Sequence, residues 1–178
     1  MSTDPETFSR GAEHFAGQRL DLVTDDGSSW ALTAEGRRVG TIRWEAKTDA
    51  RWHVASREGR WAFEWRGRWP WRFYATDETG AARAWFVGRR FGRGGEIVLP
   101  DGTTVELRYR LDARRWRLHA DDGSLIATLR HGGAKDSPAA VIDVERAAVG
   151  QPALTRVLLP AWAVARLDRD YSVGAGEG

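Results

Sequence analysis

The 178-residue chain has no cysteine, and Lys47 and Lys135 are the only lysines among its 27 basic side chains. Without cysteine there is no disulfide framework, thiolate zinc site, iron–sulfur cluster or thiol nucleophile, and the composition accords with a reducing, cytoplasmic setting. Long apolar runs are also lacking. The longest charge-free one, Val157 to Ala165, falls far short of the roughly 20 residues that a membrane-spanning helix needs. The opening MSTDPETFSRGAEHF is polar and acidic and has no apolar signal core. The histidines, His14, His53, His119 and His131, show no HxH or HxxxH spacing, so no metal site is expected. No Gly-x-Ser-x-Gly elbow and no Gly-Lys-Ser/Thr phosphate loop occurs. The expectation is a non-enzymatic chain with no catalytic residues, no metal and no cofactor. Its length suits one domain with a core of its own.

What the chain does have is a repeated phrase. Arg, a large apolar residue, one more residue, an apolar residue, and then a glycine seven positions after the large one, recurs at Arg19-Leu20…Gly27, Arg51-Trp52…Gly59, Arg72-Phe73…Gly80 and Arg115-Trp116…Gly123. Past three of these glycines the apolar residues alternate: Trp61, Phe63, Trp65; Ala82, Ala84, Phe86; Leu125, Ala127, Leu129. The first copy has the weaker Ser29, Ala31 and Thr33 there. Period-two alternation on both sides of a polar glycine turn marks a β-hairpin with one buried face. The turn segments Asp25-Asp26-Gly27, Asp77-Glu78-Thr79-Gly80, Pro100-Asp101-Gly102 and Asp121-Asp122-Gly123 carry the matching chemistry. Strands are predicted at 19–24, 29–33, 38–46, 50–56, 60–66, 70–76, 81–88, 95–99, 103–111, 114–120, 124–130 and 139–145. Twelve strands in an open sheet leave exposed edges, and closure into a barrel or a two-sheet sandwich removes them. Trp52, Trp61, Phe63, Trp65, Phe73 and Trp116 are expected to point inward as core.

The period changes near the C-terminus. Leu154, Val157, Leu158, Ala161, Trp162 and Ala165 recur at helical spacing, while Leu159, Ala163 and Val164 make the middle apolar all round. Such a helix is buried on every side. The fold class expected is therefore mainly β, an antiparallel barrel of about twelve strands enclosing a hydrophobic α-helix over about 152–167. The barrel domain would span 18–168, between a polar N-terminal segment 1–17 and a flexible tail 169–178. This plan resembles the tubby C-terminal-like superfamily, which includes the LURP-one-related proteins and the phospholipid scramblases. The resemblance rests on the Asp-Asp-Gly27, Asp-Glu-Thr-Gly80 and Asp-Asp-Gly123 turns, the Trp52 and Trp116 strand starts, and VIDVERAAVGQPALTRVLLPAWAVARLDRD, and it covers about 15–170. It implies a barrel around a central helix and binding of phosphoinositide headgroups through basic surface residues. The chain lacks the scramblases' cysteine cluster and proline-rich arm. No residue matches tubby's lipid-binding positions one for one, so no site residue is carried over.

Charge is uneven. From Arg51 to Arg93 there are ten arginines and four acids, a local excess of +6 in a chain of net charge +2. Antiparallel pairing would offer Arg51 and Arg72 a partner in Glu64. Arg66, Arg68, Arg89, Arg90 and Arg93 fall near hairpin tips with no acid in sight, and they form the candidate anion-binding set. The segment Gly88-Arg-Arg-Phe-Gly-Arg-Gly-Gly95 could also cradle an anion on its backbone amides. The function expected is anionic-ligand binding, with phospholipid headgroups at a membrane surface as the implied partner. The alternative is a protein-interaction or structural module. Nucleic-acid binding ranks third, since no recognition motif accompanies the basic stretch.

Overall fold

The computed structural model describes residues 12–24, 28–45, 51–57, 59–66, 72–89, 94–131, 138–148, 158 and 161. Twelve strands follow one another: β1 (Arg19–Thr24), β2 (Ser29–Ala34), β3 (Arg37–Glu45), β4 (Arg51–Ser56), β5 (Gly59–Arg66), β6 (Arg72–Asp77), β7 (Ala82–Gly88), β8 (Gly94–Val98), β9 (Thr104–Arg110), β10 (Arg115–Ala120), β11 (Leu125–His131) and β12 (Ala140–Val144). Each pairs antiparallel with its sequence neighbours, and β1 pairs with β12, so the sheet closes into a barrel with no free edge. The β2–β3 hairpin shows how local chemistry sets register. Glu35 and Gly36 both have positive φ, 50° and 75°, the backbone of a two-residue turn matched to strand twist, and it locks Ala34 opposite Arg37.

The interior follows from the alternation. Trp52, Trp61, Phe63, Phe73 and Trp116 are all buried, as the spacing required; the Trp65 side chain lies outside the described residues. In β2 the core set is Trp30, Leu32 and Ala34; of the Ser29, Ala31 and Thr33 positions of the repeat, Ala31 is buried outside the core cluster and the other two are half-buried. The reason is register. The β1–β2 pairing runs unshifted, with Leu22 opposite Leu32, so the partner of an inward residue lies an even number of positions on; in the other copies that distance is odd, as at Trp52 and Phe63, Ala75 and Ala84, and Leu118 and Ala127. A one-residue offset in a strand exchanges its two faces.

In a meander barrel the ends of odd strands and the starts of even strands share one end. At that end the interior is aromatic. Trp30 and Trp52 approach to 5.6 Å, Trp44 and Trp52 to 4.7 Å, Phe73 and Phe86 to 5.8 Å, and Tyr109 and Trp116 to 5.1 Å. Such tilted pairs add to simple area burial. Phe15, in a short 3-10 turn over Ala12–Phe15, also joins the core, within the segment 1–17 that the composition marks as polar. Leu158 and Ala161 have helical backbone, are fully buried and belong to the same cluster. The rest of the expected helix 152–167, and the tail 169–178, lie outside the described residues.

Candidate anion-binding surface

The hairpins β5–β6, β7–β8 and β9–β10 all turn at the aromatic end, because each joins an odd strand to the following even one. In β5–β6 and β9–β10 the closing registers place arginine opposite arginine, while β7–β8 closes on Gly88 opposite Gly95. Arg66 faces Arg72 across β5–β6. Arg110 faces Arg115, and Arg108 faces Arg117, across β9–β10. Like charges directly opposite in a sheet are destabilising. Three arginine pairs thus share register positions toward one end of the barrel wall, two of them with a member that also meets a carboxylate, Arg108 with Glu106 and Arg110 with Asp112. At the other end of this sector the turns are acidic, with Asp77, Glu78, Asp101, Asp121 and Asp122.

The acidic end is consumed by its own turns. Asp77 Oδ1 accepts from Thr79 Oγ1 at 2.6 Å, Thr79 N at 2.9 Å and Ala81 N at 3.0 Å. Its Oδ2 accepts from Arg83 Nε at 2.9 Å and Nη2 at 2.6 Å. The Thr79 hydroxyl above all, with Arg83 and the two amides, holds the Asp77 carboxyl at about 2. Asp122 is lowered in the same way, chiefly by Ser124. These carboxylates brace their own hairpins, at the end away from the arginine pairs.

Of the five expected site residues, Arg89 is described in full. It sits just past β7, exposed, and forms an ion pair with Glu106 of β9, which also takes Arg108. Arg89 therefore has the carboxylate that the sequence did not reveal, because Glu106 is distant along the chain and arrives only by β8–β9 pairing. Arg66 ends β5 opposite Arg72, and Arg68, Arg90 and Arg93 lie outside the described residues. Arg51 pairs with Glu64 at 2.9 Å, as antiparallel register demands. Arg72 does not share that partner. Glu64 stands opposite Tyr74, and Arg72 stands opposite Arg66.

The glycines at 94 and 95 have a packing role. Gly94 has φ of 121° and lies against the Leu107 carbonyl, while a Cβ at Gly95 would meet the Phe86 ring at 2.6 Å and the Val87 carbonyl. The Arg89 amide donates to the Gly94 carbonyl at 3.0 Å, extending the β7–β8 ladder.

The arginines of RYRLDARRWR, residues 108–117, went unnoticed in the sequence. Five arginines against Asp112 alone was the available signal, but a charge window ending at Arg93 misses it. Pairing of β9 with β8, and of β8 with β7, brings this hairpin into the same sector. Among the described residues no group of three or more histidines and carboxylates is placed to hold a metal, and no helix is long and apolar enough to cross a membrane. Comparison with family models, with curated proteins and with solved structures finds no match to this chain.

Proposed function

We propose that the protein is a non-enzymatic barrel that binds an anionic ligand at the end where β5–β6, β7–β8 and β9–β10 turn, with phospholipid headgroups as the class implied by the tubby-like resemblance. The observation carrying this reading is the set of three facing arginine pairs at that one end. A fold under no demand to bind anions relieves such pairs by placing acids across the ladder, as at Arg51 and Glu64. The same proposal includes an inner helix over about 152–167. An eight-stranded barrel is filled by its own side chains, and twelve strands enclose a wider space. Buried Leu158 and Ala161, three residues apart on one helical face, supply filling from the C-terminal segment.

The alternative, a protein-interaction module, has one observation in its favour. Leu111, at the β9–β10 tip, is 76% exposed, the one large apolar side chain so placed among the described residues. Co-sedimentation with vesicles of anionic phospholipid at low and high salt separates the readings. Headgroup binding is expected to fall steeply with salt, as the screening length shortens toward about 8 Å at physiological ionic strength. It should be lost in the triple variant Arg66→Glu, Arg68→Glu, Arg90→Glu with little change in melting temperature. Absence of wild-type binding to anionic vesicles and polyanions at low salt would leave the interaction-module reading in its place.

A further inference from the structure

The outer wall of β9–β10 carries a more specific message. Arg115 and Arg117 project outward from β10, since Trp116 and Leu118 between and beyond them are buried. On one side they face Arg110 and Arg108 of β9. On the other, Arg117 faces Thr128 of β11, and Arg130 follows two residues further along the same strand. The surrounding carboxylates are engaged. Glu106 holds Arg89 and Arg108, Asp112 holds Arg110 at 3.0 Å, and Asp143 holds Arg130 at 2.9 Å. Arg115 and Arg117 have no carboxylate partner among the described residues. The Arg117 Nε is also shielded from solvent with no hydrogen-bond acceptor, a costly state for a charged donor.

Residues two apart on a strand are about 6.6–6.8 Å apart, and cross-strand neighbours about 4.5–5.5 Å. The uncompensated charge is thus a short line along β10, bordered by further guanidinium groups. Arginine forks bind phosphate oxygens in pairs. A single phosphate satisfies one position of this line, and a chain of linked phosphates satisfies both. A flat bilayer suits it poorly, because Glu106, Asp112 and Asp143 flank the line and would be pressed against anionic headgroups. A slender chain lies along β10 without meeting them.

We propose that the β10 line of Arg115 and Arg117, with Arg108 and Arg110 beside it, binds a linear polyphosphate group, either free inorganic polyphosphate or the phosphate chain of a nucleotide. This rests on reading the arginine end as anion-binding, and it names the ligand class of the β9–β10 part. The test is calorimetric titration of the full chain with tripolyphosphate, ATP and orthophosphate at low salt, beside vesicle co-sedimentation. Tripolyphosphate is expected to bind, with orthophosphate about tenfold or more weaker, the effect of losing one charge-assisted hydrogen bond. ATP binding as tightly as tripolyphosphate means that the chain alone is recognised; tighter ATP binding identifies a nucleotide as the source. The double variant Arg115→Gln, Arg117→Gln should lose tripolyphosphate binding yet melt no lower than wild type, because two facing like-charge pairs are relieved. Arg57→Gln with Arg60→Gln, exposed at the other end, should bind as wild type. Vesicle binding without tripolyphosphate binding would overturn this proposal and leave the headgroup reading standing; absence of both would overturn the two together. Equal loss in the two double variants would reduce the effect to net charge and also overturn it.

Discussion

At Gly95 the barrel wall has room for a hydrogen and nothing larger. The Phe86 ring fills the inward space that a side chain would take, and the Val87 carbonyl closes the other approach. Gly95→Ala is expected to lower unfolding free energy by about 1–3 kcal/mol, as overpacking of a fitted wall does. Urea denaturation checks it, and an unchanged midpoint would mean that β7 and β8 separate without cost. The sequence shows this glycine only as part of a glycine-rich run, where anion-cradling and loop readings compete. The close contact at Gly95 comes from β7, which the linear order does not reveal. Arg89 teaches the same lesson: its partner Glu106 is reached through pairing of β8 with β9.

The strands themselves were legible. Alternation and glycine turns place every one of the twelve within two residues of its observed bounds, because one face of each strand is buried and the period is therefore strict. The face of β2 was not legible, since it depends on whether the hairpin register is even or odd, which the repeat does not fix. The C-terminal segment is the element on which the filling of the barrel turns. Leu158 is fully buried in the core cluster. Leu158→Ala is expected to cost about 2–5 kcal/mol, since a closed wall relaxes little around a cavity. A loss below about 1 kcal/mol, measured by thermal or chemical unfolding, would contradict an inner helix that supports the strands.

On the scale of the whole molecule, sequential antiparallel pairing turns scattered arginines into a surface. Along the chain the candidate set and the segment 108–117 look unrelated, and the +6 window stops before the second begins. In the barrel β7, β8, β9 and β10 are successive staves, and the arginine pairs of β5–β6 and β9–β10 stand at one end. The carboxylates of the β6–β7 and β10–β11 turns sit at the other end, tied into those turns as Asp77 is. Strand direction thus decides which turn charges share an end. The most direct measurement of that polarity is arginine footprinting: modification of the native protein with phenylglyoxal, with and without anionic phospholipid vesicles at low salt, read peptide by peptide by mass spectrometry. Protection concentrated at Arg66, Arg72 and Arg114, with Arg37, Arg57 and Arg60 at the opposite end still reactive, is the expected result. Uniform protection, protection centred on Arg37, Arg57 and Arg60, or none at all would contradict an anion-binding arginine end.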